Sequence, residues 1–286
     1  MHRVFLSFNF LSAIALPLLL VLIPASVSAN AFERLLAPKA ELWERWTAHE
    51  RADSRQISHA SWDAFLQKYV RPGEDRFNRV AYAAVTAADR ATLEGYIEDL
   101  AGIRISGYTR AEQFAYWVNL YNALTVKVVL DHMPVDSIRD IDISPGFFAD
   151  GPWRKKLLAV EGEPVSLDDI EHRILRPIWR EPRVHYAVNC ASVGCPNLQP
   201  VAFTAANTES LLAQAARDYV NHARGVSVTA DGLVLSSIYN WFAPDFDSDG
   251  GVLAHIRSYA EAPLRERLGT LPIVDYTYDW RLNGAR

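Results

Sequence analysis

One long amphipathic pattern, Thr109 to about Asp131, sets the frame for the chain. Thr109 and Glu112 stand at the spacing of a capping box, in which hydroxyl and carboxylate satisfy the first free backbone N–H groups reciprocally. Phe114, Trp117, Tyr121, Leu124 and Val128 form an apolar stripe, and Pro134 lies just beyond the end. At ~100° per residue, Glu112, Tyr116, Asn119 and Asn122 fall on a different face. Ala115 and Ala123 flank Asn119, where a solvated face would carry Lys or Glu. That face therefore has two readings, as a wetted surface or as the wall of an interior cleft.

The other elements are shorter and mixed. Helical spacing recurs at Trp62, Phe65, Leu66 and Val70, at Leu93, Tyr96, Ile97 and Leu100, in Glu209–His222, and at Val252, Ile256 and Tyr259. Val80–Val85 and Ile273–Trp280 read as strands. Leu157–Val165 and Val226–Ser237 read as hairpins, and Ile238–Phe242 as a helical turn. There is no regular βαβ alternation, which favours an α+β fold around one core. Residues 30–75 read as a helical N-terminal extension, with two short amphipathic pieces broken at Pro38, and residues 76–283 as the main domain.

The first 29 residues have a basic start, an apolar run from Phe10 to Ile23, and small residues at Val27–Ser28–Ala29. This is the pattern of a secretory signal peptide cut after Ala29; the alternative is an uncleaved membrane anchor, since the apolar run approaches the ~18 residues of a spanning helix. The expectation is an exported, periplasmic protein, off the membrane once the leader is removed. The net charge of −5 offers no basic patch for nucleic acid. A small molecule or peptide remains as the ligand class.

Chemistry concentrates in Pro182–Leu198. Val184, Tyr186 and Val188 alternate with His185, Ala187 and Asn189 as in a strand. The stretch ends in a loop of Ser192, Gly194, Pro196 and Asn197 that holds both cysteines, Cys190 and Cys195. Cys190 suits a nucleophile at a strand–loop junction, with Asn189, Asn119 or loop N–H groups to hold an oxyanion. On a strand His185 would point away from Cys190. The alternative for the same residues is a Cys190–Cys195 disulfide, for which the five-residue offset and Gly194 leave room. Zinc is disfavoured because two cysteines and one histidine make an incomplete set.

Ser166 caps a further helix in which Leu167, Ile170 and Ile174 form the buried stripe. Glu171 projects between them, where a carboxylate costs several kcal/mol unless paired or protonated. The bland reading is an ion pair with Arg139, Arg154 or Arg183; His172 falls toward the polar side. Asp245–Gly250 matches the first half of a calcium loop, but Ile256 stands where the bidentate Glu belongs, so a solvated acidic turn is expected.

Three segments carry a family resemblance: Glu112–Leu124 (EQFAYWVNLYNAL), Ser166–His172 (SLDDIEH) and His185–Pro196 (HYAVNCASVGCP). Together with the closing Tyr278–Asn283, they are similar to domain of unknown function 547 in its bacterial exported form, over about Arg76–Asn283. The resemblance implies that the positions of Asn119, Asn122, Glu171 and Cys190 keep their residue types in related plant domains, while those of His172, His185 and Cys195 vary. It thereby favours a lone functional thiol over an obligatory disulfide. The site expected is Cys190, Glu171, Asn119 and Asn122, assisted by His172 or His185, without metal or cofactor. It would act as a thiol-dependent hydrolase or acyl transferase; the alternative is a non-catalytic periplasmic binding or scaffold domain with bridged cysteines.

Overall fold

The structure is a computed structural model that describes residues 25–52, 54–146 and 150–285. Most of the leader, residues 1–24, lies outside them. The architecture is α+β: ten α-helices, 3-10 and π turns, and three small sheets among the described residues.

Helix α1 (Ala25–Leu36) runs through the expected cleavage position and stops before Pro38. The chain then crosses the molecule as a strap, Glu41 and Trp43 donating their backbone N–H groups to the His172 and Arg173 carbonyls (2.9 and 3.0 Å). Helices α2 (Ala60–Tyr69) and α3 (Ala87–Ala101) follow, with the short pair β1 (Val70–Arg71) and β2 (Arg79–Val80) between them. The strand expected at Val80–Val85 is only two residues long. Beyond it Tyr82–Ala84 closes a 3-10 turn.

Helix α4 (Arg110–His132) is the axis of the fold. From Glu112 to Val126 every residue is buried, so the polar face meets neither water nor a cleft. Such all-round burial belongs to the central helix of a larger core, and Ala115 and Ala123 let neighbours approach. The capping box is half formed. Thr109 accepts the Glu112 N–H (3.4 Å), but the Glu112 carboxylate turns instead to the Ile57 N–H (3.1 Å).

The hairpin β3 (Leu158–Val160) and β4 (Glu163–Val165) turns at Glu161–Gly162, both at positive φ. After it the chain makes a π-helical stretch, Asp169–Leu175, that runs into α5 (Arg176–Trp179). A second correction falls on the cysteine stretch. Val184–Ala187 forms a helical turn, α6, where a strand was expected. Both faces of this segment are buried, so its side-chain alternation carried no in–out signal, and tertiary packing overrode the β propensity of Val and Tyr.

The remainder is α7 (Thr208–Val220), the hairpin β5 (Val226–Val228) and β6 (Leu233–Ser236), and then α8 (Ser237–Trp241), α9 (Val252–Tyr259), α10 (Ala262–Arg267) and β7 (Ile273–Thr277). Strand β7 pairs parallel with β6. Two apolar cores result. One surrounds α4 and holds Trp46, Trp62 and Trp117; the other holds Tyr186, Tyr219, Tyr239 and Phe246. No helix of the described residues is long and apolar enough to cross a membrane.

Candidate functional site

A cavity of about 500 Å³ lies where the two cores meet, its lining including Tyr121, Glu171, His172, His185, Cys190 and Tyr278. Location between packed units is usual for ligand sites.

The π-helical stretch explains how Glu171 and His172 come to share this wall. Inserting one residue per turn re-aims the side chains that follow, a device common at functional sites. His172, expected on the polar side, is buried beside Glu171. Asp169 on the same turn is also buried, and its carboxylate is satisfied by Ser166, Arg173 and Lys156. The three arginines considered as partners for Glu171 are engaged elsewhere: Arg139 with Asp150, Arg154 with Asp168, Arg183 with Glu181 and Glu209. Burial therefore dominates at Glu171 and pushes its carboxyl up to about 8. Arg176 and the Tyr121 hydroxyl pull it down and do not offset this, while the nearby Cys190 and Asp168 charges add to the rise. Asp168, also facing the cavity, is raised by burial to about 6 against the pull of Arg154.

Both histidines are held neutral. Burial, then the charge of Arg176, keeps His172 well below the usual imidazole range. Its Nδ1 accepts from Arg176 Nη1 (3.0 Å). His185 is likewise lowered by burial, although its bond to Asp245 opposes this. Its Nε2–H donates to Asp245 Oδ2 (2.8 Å), since an ionised carboxylate can only accept. That tautomer leaves the Nδ1 lone pair 3.8 Å from Glu171 Oε1. His172 Nδ1 is 3.9 Å from the same oxygen. Thus His185 faces the cavity with Cys190 and not away from it, because the turn α6 replaced the strand.

Asp245 corrects another expectation. It is part-buried, whereas Asp247, Ser248 and Asp249 in the same turn are exposed as a solvated turn would have them. It binds Arg176 through both oxygens (2.6 and 3.1 Å) in addition to His185, and these two partners hold its carboxyl well below the usual range although burial alone would raise it. Asp249 in the same turn accepts from His255 Nδ1 (2.6 Å). The acidic turn is therefore an anchor for buried imidazoles. Among the described residues no group of three or more His, Cys, Asp or Glu is arranged to hold a metal ion.

Cys190 also lines the cavity; it is half-buried and Cys195 is buried, and both thiols are free. Ala191, the neighbour of Cys190, adopts φ +60°, a left-handed conformation that costs a residue with a Cβ about 1–3 kcal/mol. The surrounding loop over-determines this turn. Asn189 Oδ1 accepts the Ala191 N–H (3.0 Å), and the Asn283 N–H donates to the Ala191 carbonyl (3.0 Å). The C-terminal stretch also pairs with Val193 and Gly194 through the Arg281 and Asp279 carbonyls (both 2.7 Å). Gly194 is required at this crossing: a Cβ would stand 2.8 Å from the Asp279 nitrogen and 3.0 Å from the Tyr278 ring.

The Cys190 thiol is lowered to about 7, first by its contact with the Cys195 thiol, against burial, and further by Ser192 and Tyr278. Cys190 Sγ is 3.2 Å from Ser192 Oγ and 3.1 Å from Tyr278 Oη, and Ser192 donates to Tyr278 (3.0 Å). Burial pushes the Cys195 thiol up, so it stays protonated; its sulfur also accepts the Cys190 N–H (2.9 Å). Tyr278 is raised too, by burial and the neighbouring thiols, and remains a hydroxyl donor.

The asparagines do something else. Asn119 grips the Phe203 backbone, donating to its carbonyl (2.8 Å) and accepting its N–H (3.1 Å). Asn122 grips the cysteine loop in the same way, at the Ala187 carbonyl (2.9 Å) and the Asn189 N–H (2.8 Å). Asn189 spends its side chain on Ala191, Pro196 and Asn283. None of the three is available to hold an oxyanion. Asn122 and Asn189 position Cys190, and Asn119 fixes a more distant segment.

Sequence reasoning passed over Tyr278, Ser192, Tyr121, Arg176 and Asp245 as site residues. Tyr121, Ser192 and Tyr278 lay within the resemblance segments, and Asp245 within the calcium-like turn, but nothing in their spacing, or in that of Arg176, pointed to this cavity.

Residues 105–220 match the model of a family described as "Protein of unknown function, DUF547". The match supports the DUF547 resemblance. It includes Asn119, Asn122, Glu171, His172, His185 and both cysteines, while Asp245 and Tyr278 lie C-terminal to the DUF547 match. No curated protein and no solved structure matches the chain.

Proposed function

We propose that the protein is an exported, thiol-dependent hydrolase or acyl transferase acting on an amide or thioester. The observation that carries the reading is the pairing, in one cavity, of a thiol held near 7 with a carboxyl held near 8. Between those values Cys190 is largely thiolate and Glu171 largely protonated, the combination of nucleophile and general acid that acyl transfer needs. The Cys190 thiolate attacks the carbonyl carbon, with the neutral Tyr278 hydroxyl donating to the developing oxyanion. Glu171 gives its proton to the leaving amine or thiol. As a carboxylate it then takes a proton from water, or from another acceptor, which attacks the acyl-cysteine and restores the starting state. Asp245 orients His185 and Arg176, which stand beside Glu171: they are positioning residues. The apolar leader at residues 1–29 supports export to the periplasm.

The competing reading is a binding or scaffold domain with bridged cysteines, supported by the closeness of the Cys195 sulfur to Cys190. A test separates them. The protein is incubated with short acyl thioesters and its mass is followed. Acylation confined to Cys190, accumulating in Glu171→Gln because deacylation loses its base, is the expected result. Acylation elsewhere, or none, overturns the proposal.

A further inference from the structure

Part of the cavity lining is aromatic. Trp153, Trp241, Tyr278 and Trp280 belong to it, and each is only half-buried. Trp153 and Trp280 pack against the first core, Trp241 and Tyr278 against the second, so the rings bridge the seam. Trp241 and Trp280 are nearly parallel (26°, centroids 5.8 Å), Tyr278 lies 5.0 Å from Trp241 and 4.6 Å from Trp280, and Trp153 meets Trp280 edge-on at 5.7 Å. Rings that serve only as core bury their faces; these leave apolar surface open inside a cavity, beside a reactive sulfur that Tyr278 itself touches.

The charges nearby are already matched. Arg139 pairs with Asp150 and Arg154 with Asp168. The indole N–H of Trp241 donates to Glu33 (3.1 Å). One ring face of the wall is already taken by a guanidinium group of the chain itself, Arg139 over Trp280 (5.3 Å). Among the described residues that line the cavity, neither Arg139 nor Arg154 is left over as a clamp for an anion, and Asp150, Asp168 and Glu33 already face Arg139, Arg154 and the Trp241 N–H. We infer that the substrate of Cys190 carries an uncharged apolar group that stacks on the Trp153–Trp241–Tyr278–Trp280 wall while its carbonyl lies at the sulfur.

This inference rests on the thiol-enzyme reading, and the experiment keeps the two apart. Cys190 alkylation is timed on the full chain with iodoacetamide and with N-benzyl iodoacetamide, each rate divided by that for free cysteine. The corrected benzyl rate is expected to be about tenfold higher, the gain of one stacked and desolvated ring. N-benzylacetamide should protect Cys190 from iodoacetamide, whereas phenylacetate and benzylammonium, of similar size and charged, should not. Trp280→Ala or Trp241→Ala should bring the benzyl ratio down to the free-cysteine value; the protection measurement needs no variant and stands if either fails to fold. Fast reaction with iodoacetamide but no benzyl preference and no protection overturns this inference alone. Protection by either charged compound as strong as by the amide also overturns it. Failure of Cys190 to react with iodoacetamide overturns both readings.

Discussion

The polar side chains of α4 and those of the cavity wall are buried to a similar degree, yet they differ in what burial does to them. Asn119 and Asn122 are 1% and 3% exposed, and each makes two bonds to one backbone stretch. Glu171 and His185 are 8% and 3% exposed, but among the described residues the Glu171 carboxyl has no lysine or arginine within ion-pair distance, only two neutral imidazoles at 3.8 and 3.9 Å. The first pair is satisfied and structural. The second is left with shifted proton affinity, which is what chemistry requires and stability does not. Degree of burial cannot separate the two classes. Completeness of bonding does.

The sharpest way to break this comparison is at Cys190. Cys190→Ser should abolish thioester acylation entirely while leaving the thermal midpoint within a few degrees, because the serine keeps the contacts to Ser192 and Tyr278. Loss of folding instead would make the thiol a structural group.

Next come the asparagines. Asn122→Ala strands the Ala187 carbonyl and the Asn189 N–H, each costing about 1–3 kcal/mol, so a loss of about 2–6 kcal/mol in denaturant unfolding is expected. Asn119→Ala should cost a similar amount at Phe203. Only Asn122→Ala should also slow Cys190 alkylation, since only it holds the cysteine loop. Equal slowing by both would remove the distinction between them.

Glu171→Gln should act in the opposite sense on stability. The folded carboxyl, near 8, lies above its ordinary value of 4.5. The folded protein thus keeps a proton that the unfolded chain releases. The contribution is whole below about 4.5 and is lost as pH rises to about 8, at up to about 1.4 kcal/mol per pH unit. The variant lacks this slope. It should match the native protein in acid and exceed it by a few kcal/mol above pH 8, while losing deacylation. A variant less stable at pH 9 would show that Glu171 is paired after all.

The smallest effect is at Asp245. Asp245→Asn removes the charge that offsets Arg176, and Arg176 pulls the Glu171 carboxyl down. The alkaline limb of the pH–rate profile should therefore move to lower pH, by up to about one unit. An unmoved limb would separate Asp245 from the site.

Much of this was legible in the sequence, unevenly. Glu171 stood out because a carboxylate on an apolar stripe is a local conflict, and such conflicts mark strained or functional positions. The hairpins and the helices α2, α3, α4, α7 and α9 followed their periodicity. The cysteine loop announced itself by its turn residues. What escaped has one physical cause: information carried by contacts between distant segments. His172 turns inward because of a π-helical stretch whose register only packing sets. Val184–Ala187 curls because both of its faces are buried. Asp245 and Tyr278, 55 and 88 residues beyond Cys190 in the sequence, reach the site through α8 and the closing stretch after β7. Ala115 and Ala123 signalled that Asn119 and Asn122 were buried, but not that their partners were backbone.

The central claim is that Cys190 is an activated free thiol. The direct measurement is its alkylation rate as a function of pH, without reductant, with Cys195 as the internal control. The account predicts a midpoint near 7 at Cys190 and no reaction at Cys195, whose thiol is buried and raised. A midpoint at or above the ~8.5 of an ordinary thiol, or no alkylation until the protein is reduced, would contradict it.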